Sequence, residues 1–537
     1  MTRPAQIAAL VVVLLASAAG ARGEYRYEPP ELGPSYVEPQ TATPPPEGAW
    51  GEYVAVAALV VAIALASYLA LRRRSRAWIV ALAIGCLVYF GFIRKGCVCP
   101  IGAIQNVAQG IFDTESAIRP DHAAIAARGL EADAVAAAFE REYARFVGAQ
   151  LHRGVGGFHI RLRLNGANRR LLEEVGSVRV EGFGPDGRKV SLALRELWRV
   201  APTFTVPWTV LAFFLLPLAA TLLFGRAFCA SVCPLGVIQD VVVVRPLSLP
   251  HWFDQALRLL AYVYLAGAVL LAATGSAYII CRYDPFVSFF RLGGSAGMFA
   301  LGACFLLIGM FVARPYCRFI CPYGAILRVL SRFSRWRVTI TPDECIRCRL
   351  CEDACPFGAI RKPTEELPPG RRRRGKPALA LLILALPVLI ALGAWLGHGL
   401  RSALAGIDPT VRLADAVRSA RAGETQQPVE EDQGRSDAAK YQADMVAAFE
   451  QSQRGVEELY EEESIIRGRF AFGAVAFGAF IGLIVGGKLI QLSVRRRRID
   501  YEADRATCLA CGRCFRYCPR EQARRKGSKT QQAGEAK

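Results

Sequence analysis

Seven apolar stretches, each about long enough to cross a hydrocarbon core, constrain this 537-residue chain more than any other feature. They fall at about 52–71, 77–93, 206–224, 255–280, 295–313, 377–397 and 468–492. A helix satisfies its backbone hydrogen bonds internally, so the pattern predicts a mostly α, polytopic membrane protein. Apolar residues make up 53% of the chain, gathered in these blocks. The formal net charge of +20 invites a nucleic-acid partner, but the Arg runs lie beside apolar blocks. Arg72 to Arg74, Arg371 to Arg374 and Arg495 to Arg498 fit the positive-inside rule instead. The expected partner is therefore membrane lipid, with no nucleic acid.

The N-terminus reads as a signal peptide over 1–23. Arg3 is a short basic start, Ile7 to Ala18 an apolar core, and Ala19-Gly20-Ala21 supplies small residues near a cut. An uncleaved anchor is the alternative. Residues 24–50, rich in Pro and Glu, read as an extended exported linker. With the N-terminus outside, alternation puts 94–205, 281–294 and 398–467 outside, and 225–254, 314–376 and the tail from 493 inside. Every Arg run named above lands inside. The outer loop 398–467 is acidic, with Glu430-Glu431-Asp432 and Glu461 to Glu463.

Two cysteine runs then fall on one membrane face. The first is Cys345-Ile-Arg-Cys348-Arg-Leu-Cys351-Glu-Asp-Ala-Cys355-Pro356; the second is Cys508-Leu-Ala-Cys511-Gly-Arg-Cys514-Phe-Arg-Tyr-Cys518-Pro519. Both read C-x2-C-x2-C-x3-C-P, the spacing by which bacterial ferredoxins hold [4Fe-4S] clusters. Zinc sites use C-x2-C pairs without the third cysteine and the C-P ending, and disulfides are rare in a reduced compartment. In two-cluster ferredoxins the fourth Cys of each run ligates the other cluster. We therefore expect Cys345, Cys348 and Cys351 to share a cluster with Cys518, and Cys508, Cys511 and Cys514 to share one with Cys355. The hairpin of spans six and seven would be an insertion within one ferredoxin-like domain. Span seven carries Gly478, Gly482 and Gly486 at a spacing that suits close helix packing.

A second signature recurs as Cys229-Ala-Ser-Val-Cys233-Pro234-Leu-Gly236 and Cys317-Arg-Phe-Ile-Cys321-Pro322-Tyr-Gly324. Four cysteines from two C-x3-C pairs are expected to form a third metal or cluster site; a structural Cys-Pro turn with free thiols is the alternative. A partial copy, Cys97-Val-Cys99-Pro100-Ile-Gly102, has Lys95 where the first Cys should stand. For Cys97 and Cys99 a metal role competes with a disulfide, and Cys281 is their candidate companion. Cys86 and Cys304, inside spans, read as packing residues.

The paired C-x3-C-P motifs followed by C-x2-C-x2-C-x3-C-P runs resemble the NosR/NapH group of polyferredoxin-like membrane proteins. The likeness covers about 206–360 and 508–519, with Cys281-Arg282-Tyr283-Asp284-Pro285-Phe286 between spans four and five. It implies electron transfer between the quinone pool, cytoplasmic clusters and an exported metalloreductase or electron carrier. The place implied is the bacterial inner membrane, and the pathway an anaerobic one such as nitrous-oxide or nitrate reduction. Quinol dehydrogenase activity is compatible with this. A maturation factor supplying electrons for metal-site assembly is the second reading. A redox sensor would need a signalling or DNA-binding domain, and the sequence has none that we recognise. NosR-like members carry an exported flavin domain with a Ser/Thr-Gly-Ala-Thr-x-Thr attachment run; residues 110–205 have no such run, which argues against FMN. Five His, with only His398 near a span end, argue against a bis-His haem.

The expected organisation is thus signal peptide 1–23, exported linker 24–50, and two spans with a C-x-C-P motif over 51–112. An exported α+β domain follows at 113–205, then three spans with both C-x3-C-P motifs at 206–327. The first cytoplasmic ferredoxin half is 328–376. The membrane hairpin is 377–492, enclosing an exported helical loop 398–467. The second ferredoxin half and a disordered tail occupy 493–537. Within 113–205, Ala123 to Phe146 has helical character, His159 to Leu164 alternates like a strand, and Pro185-Asp186-Gly187 signals a turn.

Overall fold

A computed structural model of the chain describes residues 49–96, 100–112, 115–120, 150–154, 157–163, 174–175, 178–183, 189–193, 198–202, 206–247, 249–340, 345–364, 369–423, 437–451, 455–494 and 498–524. The signal peptide, nearly all of the linker 24–50, Cys97 and Cys99, the stretch Ala123 to Phe146, the turn Pro185 to Gly187 and the tail beyond 524 lie outside the described residues.

Seven apolar helices occupy the seven apolar blocks. They are α1 (Ala49–Tyr68), α2 (Arg76–Cys86), α3 (Trp208–Phe224), α4 (Leu260–Ala273), α5 (Ala296–Gly309), α6 (Pro369–Gly399) and α7 (Val456–Ser493). Two continue as π-helical turns, α1 through Leu69–Arg73 and α2 through Leu87–Ile93. Among the described residues, five segments are long and apolar enough to span a bilayer, and α3 and α5 are shorter apolar helices of 10–17 residues. The expected span 255–280 differs from the structure. Its helical stretch is Trp252–Ala273, because Gly275 takes φ +79° and turns the chain two residues beyond. The expected span 295–313 stops at Gly309, and Arg314, in the left-handed region, leads into a separate helix begun by Pro315. The chain is a multi-pass membrane protein.

Between these helices lie short buried ones that begin at proline. Pro234–Val241 and Pro322–Leu330 carry Pro at their first turn, where its missing N–H costs no hydrogen bond. They belong to the main core with Phe228, Val232, Cys233, Leu235, Tyr316, Cys321, Tyr323 and Leu327. The C-x3-C-P motifs are therefore core elements rather than surface loops.

Helices α6 and α7 form a tight hairpin. A Cβ on Gly478 would overlap the Gly393 carbonyl oxygen, and one on Gly482 would overlap that of Leu389. Small residues on both helices let the backbones touch, which is how helices associate where lipid is as apolar as leucine. Leu381, Leu384, Val388 and Trp395 of α6 are exposed, as lipid-facing side chains are. Beyond the hairpin, Pro409–Arg421 is tied to α7 where Glu463 accepts from Arg467 Nε at 2.6 Å and from Arg418 Nη2 at 2.5 Å.

Residues 106–207 with 273–275 form a separate unit. Its strands are β1 (Glu115–Pro120), β2 (Gln150–Gly154), β3 (Gly157–Arg163), β4 (Arg179–Phe183), β5 (Lys189–Ala193) and β6 (Trp198–Pro202). Four make an antiparallel sheet in the order β2-β3-β1-β6, and β4 pairs with β5. The alternating stretch from His159 lies on β3.

The two cysteine runs fold against each other. Strands β7 (Ile360–Arg361) and β8 (Glu502–Ala503) pair antiparallel, with Ile360 opposite Ala503. The Asp504 amide donates to Ala359 O at 2.7 Å, and the Thr364 amide donates to Arg498 O at 3.0 Å.

Candidate metal centres

The two runs share one backbone form. Arg347 and Arg349 in the first have positive φ (54° and 65°), and Ala510 and Gly512 at the matching places of the second do too (57° and 73°). A left-handed non-glycine residue costs roughly 1–2 kcal/mol, so three of them mark a conformation the surroundings impose. Each run then enters a short helix, Leu350–Asp353 or Arg513–Tyr517.

Cys345, Cys348 and Cys351 line one cavity with Cys518 from the other run, beside Tyr501 and Ile340. Cys355 packs with Cys508 and Cys511 around Phe357, Ala359 and Leu509. Cys514 lies in the electrostatic reach of Cys508, Cys511 and Cys355. Cys355 and Cys514 also border the small core of Cys351, Ile360 and Tyr501, so the two sets adjoin. Backbone amides point at the sulfurs: Ala359 N donates to Cys355 Sγ at 3.4 Å and Ala510 N to Cys508 Sγ at 3.5 Å. Burial pushes the Cys508 thiol up to about 12 and the Cys351 thiol up to about 11, so without metal both stay protonated. Ligation would release those protons.

A third set is deeper. Cys229, Cys233, Cys317 and Cys321 line one cavity together with Arg226, Arg258, Arg314, Arg318 and Arg328. Sequence reasoning singled out the cysteines and missed the arginines, which are scattered from 226 to 328 and carry no motif. Arg314 is fully buried and grips Asp240 with Nε at 2.9 Å and Nη2 at 2.6 Å. Arg318 Nε and Arg258 Nε converge on Asp254 at 2.7 and 2.8 Å. Arg328 donates from Nη2 to Arg318 O at 2.8 Å, but its buried Nε and Nη1 have no partner among the described residues. A buried unpaired guanidinium nitrogen is costly, so the cavity favours an anion. Gln239, fully buried, donates to Cys317 Sγ at 3.1 Å and accepts from the Tyr316 amide at 3.1 Å, fixing one motif on the other. Gln105 occupies the same place after Pro100 and accepts from the Ile280 amide at 2.9 Å, one residue before Cys281. Cys281 Sγ lies against Gly102, where an added Cβ would be 3.2 Å away. Cys86 is buried in the core and Cys304 is half-buried.

Among the described residues no three Cys, His, Asp or Glu converge as the ligands of one ion must. A single zinc draws its thiolates to about 2.3 Å from one centre, whereas a four-iron cluster seats itself among thiolates held farther apart. All-cysteine donors, inward amides and cationic surroundings suit an anionic iron–sulfur cluster, and the donor chemistry of all three sets fits it.

Comparison with known proteins agrees. A family model described as a 4Fe-4S binding domain matches residues 206–252 and 295–341, across both C-x3-C-P motifs. A second model, also a 4Fe-4S binding domain, matches 338–361. The YccM protein of Escherichia coli (strain K12) is 29% identical over 27% of this chain and 45% of its own length. Protein NirI of Paracoccus denitrificans (strain Pd 1222) is 29% identical over 31% of this chain and 25% of its own. Regulatory protein NosR of Stutzerimonas stutzeri is 30% identical over 31% of this chain and 24% of its own. The chain thus spans less than half the length of these relatives. No solved structure matches. Fold and cysteine sets together define an iron–sulfur protein of the membrane. Within that class, the likeness to NirI, NosR and YccM over the C-x3-C-P segment supports the NosR/NapH-like group of polyferredoxin-like membrane proteins.

Proposed function

We propose that the chain conducts electrons through the membrane face on which its cysteine runs lie, taking them from the quinol pool and passing them towards an exported metalloreductase or carrier. The pathway is an anaerobic respiratory one, such as nitrous-oxide or nitrate reduction. One [4Fe-4S] cluster is held by Cys345, Cys348, Cys351 and Cys518, and a second by Cys508, Cys511, Cys514 and Cys355. Cys229, Cys233, Cys317 and Cys321 hold a third. Clusters, when bound, supply reversible one-electron chemistry, and the protein sets their spacing and surroundings.

What supports this reading is the continuity of the sets. Cys229 of the membrane motifs packs in the same apolar cluster as Cys355, Cys508 and Cys511. Phe357 and Leu509, which lie between these groups, also line the arginine cavity. Cys355 and Cys514 in turn border Cys351 and Cys345. Three adjoining thiol sets leading from the helix core to the ferredoxin-like fold form a wire, which a purely structural or regulatory domain would not need. Pairing of β7 with β8 joins the two cysteine runs, and we assign them to the cytoplasmic side of the bacterial inner membrane from the Arg runs.

The test is reduction of purified protein by a soluble quinol, followed by bleaching of the visible iron–sulfur absorption. Bleaching that the Cys233→Ser/Cys321→Ser variant slows supports entry through the membrane set. Protein that dithionite reduces and quinol does not would overturn the quinol link. In a deletion strain, a partner enzyme with intact metal but no electrons supports conduction, and a partner lacking its metal centre favours the maturation reading.

A further inference from the structure

A second charged cavity lies outside the cysteine sets. It measures about 680 Å³ and is bounded by the inner end of α7, the segment after Ser331, and the strands that join the two ferredoxin halves. Six cationic side chains line it: Arg332, Arg337, Arg361, Lys488, Arg498 and Arg505. Among the described residues two carboxylates, Glu502 and Asp504, accompany them. Asp504 is already committed, to Arg361 Nε at 2.9 Å and to the Ala506 and Thr507 amides at 2.9 and 3.2 Å. Arg332 spends one nitrogen on Gln491 at 2.9 Å, a neutral partner. Lys488 is half-buried, has Arg332 and Arg361 among its charged neighbours, and makes no ion pair among the described residues. Like charges gathered in a roomy cavity repel unless an anion separates them.

The surroundings are apolar in a directed way. Leu489 and Leu492 on α7 are exposed (41% and 49%), and Phe333 and Trp336 beside the cavity are exposed too (73% and 50%). Exposed aromatic rings next to arginines mark the level of the membrane–water interface. Basic pockets between spanning helices at that level are suited to lipid headgroups.

We propose that this cavity holds the phosphate headgroup of an anionic phospholipid, with its acyl chains along Leu489 and Leu492 of α7. The headgroup would join α7 to both ferredoxin halves, since Lys488, Arg361 and Arg505 come from the three parts. A free phosphate would satisfy the same cations but would leave the leucines and aromatics uncovered.

The full chain, purified in mild detergent, is offered phosphatidylglycerol, phosphatidylcholine or inorganic phosphate, and retained molecules are counted by native mass spectrometry. Phosphatidylglycerol should be retained and phosphatidylcholine lost. Each of Lys488→Gln, Arg337→Gln and Arg505→Gln should weaken retention roughly fivefold, and the three together about a hundredfold. Circular dichroism and monodisperse elution check folding. Lys488→Gln alone carries the test should the triple variant fail to fold. Equal retention of the two lipids, or undiminished retention in a folded variant, overturns the proposal. Phosphatidylglycerol displaced by millimolar inorganic phosphate would make free phosphate the ligand and overturn the lipid assignment.

Discussion

Arg74 and Glu521 meet as an ion pair at 3.2 Å, although one residue lies between the first two helices and the other sixteen from the C-terminus. Glu521 is buried, and Arg74 stacks over the Phe515 ring at 4.2 Å. Arg76 adds a bond to Cys511 O at 2.8 Å. The first helical hairpin thus clamps the last cysteine run, which fixes residues 74–76 and 508–521 on one side of the helices.

Glu521→Ala should cost about 3 kcal/mol, because it leaves Arg74 as a buried charge without its carboxylate. Denaturant unfolding of the detergent-solubilised protein measures this. A double Arg74→Met/Glu521→Met variant should recover part of the loss. An effect in Glu521→Ala below about 0.5 kcal/mol, typical of a surface pair, would remove the clamp from the account.

Cross-ligation has an epistatic signature. Cys348 and Cys518 line one cavity. If they hold one cluster, Cys348→Ser and Cys518→Ser should each damage the same signal, and the double variant should lose only about four iron atoms. Ligation within each run would instead cost about eight iron atoms in the double variant. Truncation after Arg498 should damage both clusters.

The membrane set is tested by iron content. Cys233→Ser/Cys321→Ser should lower iron by about four per chain and remove one spectroscopic signal. Arg328→Gln, which removes a buried cation whose Nε and Nη1 have no hydrogen-bond partner among the described residues, should lower the reduction potential of that signal alone. Unchanged iron in the cysteine variant rules the third centre out.

Gly482→Leu should destabilise the α6–α7 hairpin by about 1–3 kcal/mol through overpacking. Gly487→Leu is the control, since a Cβ there meets nothing within 4 Å. Thermal unfolding of the two variants should differ clearly. Equal midpoints would mean that the helices do not pack through the glycine face.

Glu463 gives a pH-dependent contact. Burial works against its charged form, but the hydrogen bonds from Arg418 and Arg467 hold its pKa below the usual carboxylate value. Its contribution to stability is therefore present above the unfolded-state pKa, near about 4.3, and is lost as pH falls through the lower folded value. Hydrogen exchange in Pro409–Arg421, corrected for intrinsic rate, should quicken in that acid window. Glu463→Gln should already exchange fast at neutral pH. A pH-independent difference between the two proteins would show that the carboxylate's charge is not what ties this helix down.

The sequence alone determined the parts that are local. Apolar run length marked seven helices, because spanning a bilayer demands it. The C-x2-C-x2-C-x3-C-P spacing marked the cluster chemistry, because ligand spacing follows from the cofactor's own geometry. Gly478 and Gly482 marked the face of α7 that meets α6. Tertiary structure alone decided which distant residues meet. Arg226, Arg258, Arg314, Arg318 and Arg328 line one cavity only because the tertiary fold gathers them from well-separated places in the chain, and single arginines leave no periodic trace. The partnership of Arg74 with Glu521 and the register of Ile360 on Ala503 are likewise non-local. The lengths of α3, α4 and α5 were set by glycine and proline turns such as Gly275 and Pro315, whose strength in a membrane protein depends on the neighbours that satisfy the freed backbone.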